Sequence, residues 1–250
     1  ATNLHESCSL TPCMMAPEPD PHTPPTQTKE CGAALALLPA AATLGFYALP
    51  ASLQAQTVVL FAPQIVAYLA FGLWATRNCT ITSRLGLGKR NFRDGLRWGL
   101  LTGLLLGCLN TFVILFVYPH LDYDIDFLKT TPHGRLPLFV MLPWFICSIA
   151  LFVEVNFRGF LLGRLAALES QLWKPGFAQR LSPLALIASS LIFAFDPFMV
   201  NTFQYLHWIA VWDGLIWGAI YLRTRNLSIT IVAHAVEVMM MYSSVRAAIG

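Results

Sequence analysis

Of 250 residues, 56% are hydrophobic and only 12% are charged, with a formal net charge of +3. A soluble domain is about one quarter charged, so this composition excludes an ordinary soluble fold and reads as a polytopic membrane protein in which the bilayer covers much of the surface. The basic residues lie in loops between apolar runs, a distribution that orients a chain in a membrane and argues against nucleic-acid binding.

Residues 1–30 are polar and Pro-rich, as in Pro17-Glu18-Pro19-Asp20-Pro21 and Thr23-Pro24-Pro25-Thr26. They lack the charged start and apolar core of a signal peptide. An irregular or polyproline-II-like cytoplasmic tail is expected. Order in such a tail needs something to hold it, which points to a protein partner. Residues 31–250 are expected to form the transmembrane domain.

Seven apolar runs follow, at about 31–49, 57–76, 98–118, 137–157, 183–199, 203–222 and 227–244, each near the length that spans a bilayer. The fold class is therefore all-α, a membrane bundle of about seven transmembrane helices. Pro39, Pro50, Pro63 and Pro143 are expected to kink or end helices. The 77–97 loop is basic (Arg77, Arg84, Lys89, Arg90, Arg93, Arg97), and so are the 158–182 segment and the Arg223–Arg225 turn. The 119–136 loop is acidic, with Asp122, Asp124 and Asp126. It lacks the Gly and terminal Glu of an EF-hand, so a solvated loop is expected. This alternation predicts an integral protein of a plasma or inner membrane with a cytoplasmic N-terminus. The 161–182 segment mixes Leu with Arg164 and Glu169, and is expected to leave the bilayer and lie on its surface.

The six Cys residues show no C-x-x-C spacing, which argues against a zinc or redox motif. Cys108 and Cys147 fall in apolar runs and read as small core residues.

The stretch Phe152-Val153-Glu154-Val155-Asn156-Phe157-Arg158-Gly159 places a Glu and an Arg at i,i+4 in an apolar helix. Insertion scales assign about 2.5–3.5 kcal/mol to each charge at mid-helix, so the two are expected to face the bundle interior as a structural ion pair, Glu154–Arg158. Further polar groups fall in later apolar runs: Asp196, His207, Asp213, His234 and Glu237. His234 and Glu237, at i,i+3, are candidate metal ligands. His234 is also the candidate ligand for a heme or tetrapyrrole, although no cofactor is implied with any force. Met239-Met240-Met241 reads as helix packing.

Three anchors carry a family resemblance over residues 84–242. They are Leu85-Gly86-Leu87-Gly88-Lys89-Arg90 leading to Arg97-Trp98-Gly99, Phe157-Arg158-Gly159-Phe160-Leu161, and Gly214 to Leu227 followed by Ala233-His234-Ala235. Together they resemble the CAAX-protease and bacteriocin-processing (CPBP, Abi) family of intramembrane peptidases. The resemblance implies a Glu and a His that polarise a water, with a second His and an Asn stabilising the oxyanion. Its first motif, Glu-Glu-x-x-x-Arg, falls on Val153, Glu154 and Arg158. Its second, Phe-x-x-x-His, runs from Phe193 to Pro197. Its third, His-x-x-x-Asn, keeps His234 but meets Val238.

Val153 and Pro197 accept no proton, and losing members of a catalytic unit costs several orders of magnitude in rate. The expected function is a family-like membrane protein that has lost peptidase activity and acts as a scaffolding or binding subunit of a membrane complex. Small-residue faces at Gly99, Gly103, Gly107, Gly214 and Gly218 fit close helix contacts, within the chain or with membrane protein partners. One alternative is an active endopeptidase using Glu154, His234, Asp196 and His207. The other is a holder of a small molecule or cofactor in the old active-site cavity.

Overall fold

The computed structural model describes residues 32–78, 81–172 and 182–249. The expected Pro-rich tail, residues 1–30, lies outside these. Among the described residues every regular element is helical. We number the seven principal helices α1 (Ala33–Tyr47), α2 (Thr57–Thr76), α3 (Asn91–His120), α4 (Leu138–Leu172), α5 (Pro183–Ala194), α6 (Pro197–Thr224) and α7 (Leu227–Ala248). Each corresponds to one of the apolar runs. By length and composition α2, α3, α4 and α7 cross a membrane alone, and α5 with α6 pass that test as a pair bent by 50°. Among the described residues the helices long and apolar enough to cross a membrane are therefore four, or five with the bent pair, against seven apolar runs; α1 is apolar but shorter.

The bend between α5 and α6 has a local cause. Asp196 caps α6, its carboxylate accepting from the Phe198 amide at 3.0 Å, and Pro197 occupies the first turn. Asp followed by Pro is a strong helix start, because the carboxylate satisfies an orphan N–H and proline lacks one. The expected run 183–199 thus ends earlier, at Ala194. A 3-10 turn, Gln204–Trp208, then interrupts α6, with Gln204 at φ 47°.

Helix α4 continues to Leu172 and widens to π geometry at Met141–Ile146, around Pro143, and again at Val155–Leu162. The expected 161–182 segment thus continues the fourth helix as far as Leu172, and its residues 173–181 lie outside the described residues; its first turns are packed inside the protein. Leu161, Leu162, Arg164 and Ala166 are buried. Phe160 packs on Phe71 and Trp74, and the Arg164 guanidinium carbon sits 4.4 Å from the Trp74 ring.

The closest packing joins α3 to α7. Gly95, Gly99, Gly103 and Gly107 recur every fourth residue and form one stripe. A Cβ on Gly95 would stand 2.5 Å from Ser228 Cβ, one on Gly99 2.6 Å from Val232 Cβ, and one on Gly103 2.6 Å from the Ala233 carbonyl. Backbones this close suit helices that associate by van der Waals contact in lipid. Gly214 and Gly218 likewise meet Ser190 and Leu186 of α5. These small-residue faces are consumed inside the chain, which removes them as support for a partner-facing surface.

Outward faces are apolar: Leu69, Leu105, Phe116 and Phe139 are more than half exposed. Such faces suit lipid. Cys108 and Cys147 also face outward, contrary to the expected core placement. Hydropathy locates them in apolar helices but does not separate the lipid side from the packed side.

The glycine stripe yields a test. Gly103→Ala should destabilise the protein by about 1–3 kcal/mol in detergent, because the backbone cannot yield to the new methyl. Gly72, with open space around it, serves as the control. Gly72→Ala should be neutral or gain up to about 1 kcal/mol from helix propensity. Equal thermal shifts in the two variants would show that the stripe does not set stability.

Candidate functional site: a buried polar cluster on an apolar chamber

Helix α4 contributes Glu154, with no exposed surface. Its Oε1 accepts from His234 Nδ1 of α7 at 2.9 Å and lies 3.3 Å from Arg158 Nη1, one turn along α4. The Arg158 contact is an ion pair without hydrogen-bond alignment, and both terminal guanidinium nitrogens lack an aligned acceptor. Aromatic faces cover them instead. The guanidinium carbon is 4.3 Å from the Phe193 ring of α5 and 5.3 Å from the Trp217 ring of α6. Cation–π attraction of this kind strengthens when the cation is desolvated. Trp217 also stacks on the His234 imidazole, with centroids 4.8 Å apart.

A second cluster lies in the same bundle. Asn110 of α3 is completely buried. Its amide donates to both carboxylate oxygens of Asp213 at 3.2 Å and to Glu237 Oε1 at 2.5 Å, while its own carbonyl accepts from Trp212 Nε1 at 2.9 Å. One asparagine thus ties α3, α6 and α7 together. The orientation of its amide follows from these partners, since two carboxylates accept and an indole donates.

Both clusters border a cavity of about 860 Å³. Its wall is mostly apolar, with Ile149, Val153, Phe157 and Phe193 among the lining residues. Asp196, Asp213, His234 and Glu237 line it as well, as do Lys129 and Arg246. Lys129 pairs with Asp126 at 3.1 Å in the 119–136 loop, where Asp122, Asp124 and Asp126 are exposed, as expected of a solvated loop. Arg246 donates to the Leu136 carbonyl and the Tyr242 hydroxyl.

Sequence candidates therefore separate into groups. Glu154, Arg158 and His234 come together. Glu237, named with His234 as a candidate metal ligand, is linked to Asp213 through Asn110. Among the described residues no three His, Cys, Asp or Glu side chains are arranged to hold a metal ion. Asp196 lines the cavity, but it is engaged by its own helix start and by the Gln64 amide of α2 at 2.9 Å. His207 is not among the lining residues. Its Nδ1 meets the Gln204 carbonyl, and its ring packs on Phe195 and Trp208. Asn110 was missed from the sequence. Its signal was a lone carboxamide within the apolar run Leu104-Leu105-Leu106-Gly107-Cys108-Leu109-Asn110, where a polar side chain needs a partner.

Residues 135–240 match the model of a family described as type II CAAX prenyl endopeptidase Rce1-like. The match supports membership of the CAAX-protease family. No curated protein and no solved structure matches the chain. Against the family pattern, Val153 and Val238 line the chamber at the positions of the missing carboxylate and carboxamide. Pro197 is buried in the first turn of α6 and is not among the lining residues of the chamber.

Breaking a buried ion pair leaves an uncompensated charge, at a cost of about 3–5 kcal/mol in soluble proteins. Arg158→Leu and Glu154→Gln should each lower the thermal midpoint in detergent, and the double variant should recover part of the loss. Additive losses would show that the two groups do not depend on each other.

Proposed function

We propose that this chain is a CAAX-protease-like membrane protein that has lost peptide hydrolysis and keeps its intramembrane chamber for binding, as a binding or scaffolding subunit of a membrane complex. One observation supports this most. The chamber presents Val153 and Val238 where the family chemistry uses a carboxylate and an oxyanion donor. The surviving Glu154 is absent from the chamber lining and committed to Arg158 and His234. A general base needs a free lone pair within reach of the water it activates, and Val supplies none.

The experiment is a peptidase assay of the pure protein on prenylated and leader-bearing peptides. Wild type should show no cleavage. Cleavage gained by Val153→Glu combined with Pro197→His, absent from wild type, would support the reading directly; position 153 lines the chamber and position 197 lies off its wall. Cleavage by wild type that Glu154→Ala abolishes would overturn the reading in favour of a rearranged active site.

The reading also takes the N-terminus as cytoplasmic, on the strength of the basic 77–97 loop. Cysteine labelling in sealed vesicles should place 77–97 on the opposite face from 119–136. Labelling of both from one side would remove a crossing from α3.

A further inference from the structure

The chamber carries an imbalance of charge that the family chemistry does not use. Glu154 and Arg158 offset each other. Asp196, Asp213 and Glu237 remain; Asp196 is engaged by the Gln64 amide and its own helix start, whereas Asp213 and Glu237 share the neutral Asn110. Asp213 of α6 and Glu237 of α7 are 5% and 2% exposed. From α4, Arg158 is already paired with Glu154, and from α7, His234 donates to that same carboxylate. Of the lining cations, Lys129 is paired with Asp126, and Arg246 keeps its charge while donating to the neutral Leu136 carbonyl and Tyr242 hydroxyl. Glu237 Oε2 is buried and accepts no hydrogen bond from any protein group. A buried carboxylate oxygen without a partner is costly, so this atom asks for a donor.

Asp213 and Glu237 are held on one Asn110 carboxamide, and two carboxylates gathered so closely are relieved by a shared proton. A proton or a cation from outside the chain therefore answers the same need. No third His, Cys, Asp or Glu joins the pair among the described residues, which leaves it short of the ligand set of a divalent metal. A compact organic ammonium has three donors and needs no such set. The rest of the chamber is apolar, and its wall reaches the surface at Tyr68, Phe145 and Phe152, which are 40%, 38% and 58% exposed on α2 and α4. Tyr68 and Phe152 pack edge to face there, with centroids 6.5 Å apart. Both stand on helices long and apolar enough to cross a membrane, so this mouth faces the lipid side.

We propose that the chamber binds a long-chain primary amine, its ammonium donating to Glu237 Oε2 and Asp213 and its chain lying along the apolar wall towards Tyr68 and Phe152. This deepens the binding reading above and rests on it. The charge is opposite to that of a carboxylate-ended ligand, which the acidic pair repels.

The test uses the full chain in nanodiscs of neutral phosphatidylcholine, so that no surface charge attracts the probe. Hexadecylamine, hexadecanol and hexadecanoate are compared by thermal shift and by retention in native mass spectrometry. The amine should bind at least about tenfold more tightly than the alcohol, as a charge-assisted hydrogen bond warrants, and the acid should bind least. Glu237→Gln should bring amine and alcohol to equal affinity. Asp213→Asn reads the same preference if Glu237→Gln does not fold. Equal binding of amine and alcohol by wild type means that a shared proton already satisfies the pair, and overturns the proposal. So does absence of binding, or a preference that survives either substitution. The peptidase assay is read separately: cleavage with the amine preference intact overturns only the lost-hydrolysis reading.

Discussion

An ionised group inside an apolar bundle has no water to turn to, and the arrangement of α4, α5, α6 and α7 follows from that constraint. Glu154 is answered from two sides, by Arg158 on its own helix and by His234 across the interface. Arg158 in turn is roofed by Phe193 and Trp217 rather than by further acceptors. Each aromatic ring holds its place partly because a cation lies beneath it, and the imidazole is fixed by stacking as well as by its hydrogen bond. The trio thereby sets the relative rotation of four helices. Asn110 does the same for α3, α6 and α7 with a neutral side chain.

What could be read from the residues in advance was mainly local. The Glu154–Arg158 pair is one helical turn apart, so periodicity alone put the two groups on one face. The apolar runs were legible because lipid demands sustained hydrophobicity. The Asn110–Asp213–Glu237 cluster was not legible as a unit, because Asn110 is more than 100 residues from either acid in sequence and meets them only after three helices pack. Asp196 reads in the sequence as a polar group in an apolar run, and its role in capping a helix that starts at Pro197 emerges only where the helix breaks. The burial of Leu161, Leu162 and Arg164 was hidden for a different reason. Mixed polarity reads as a surface helix, yet here an arginine lies over Trp74 and brings its neighbours inside.

The pattern of substitution around the chamber is uneven. The residues that hold the bundle, Glu154, Arg158 and His234, remain together. Val153 and Val238, which the family resemblance aligns with a carboxylate and a carboxamide, line the chamber with side chains that exchange no protons. Asp213 lies outside the three family motifs and Glu237 at a variable position within the third, and the two give the chamber a polarity of its own.

The glycine stripe has a mechanical consequence. Because α3 and α7 touch backbone to backbone along four successive turns, neither can slide or roll without collision. They act as a single stiff plank carrying Asn110, His234 and Glu237. On α2 and α4, by contrast, Tyr68 and Phe152 meet through the edges of their rings.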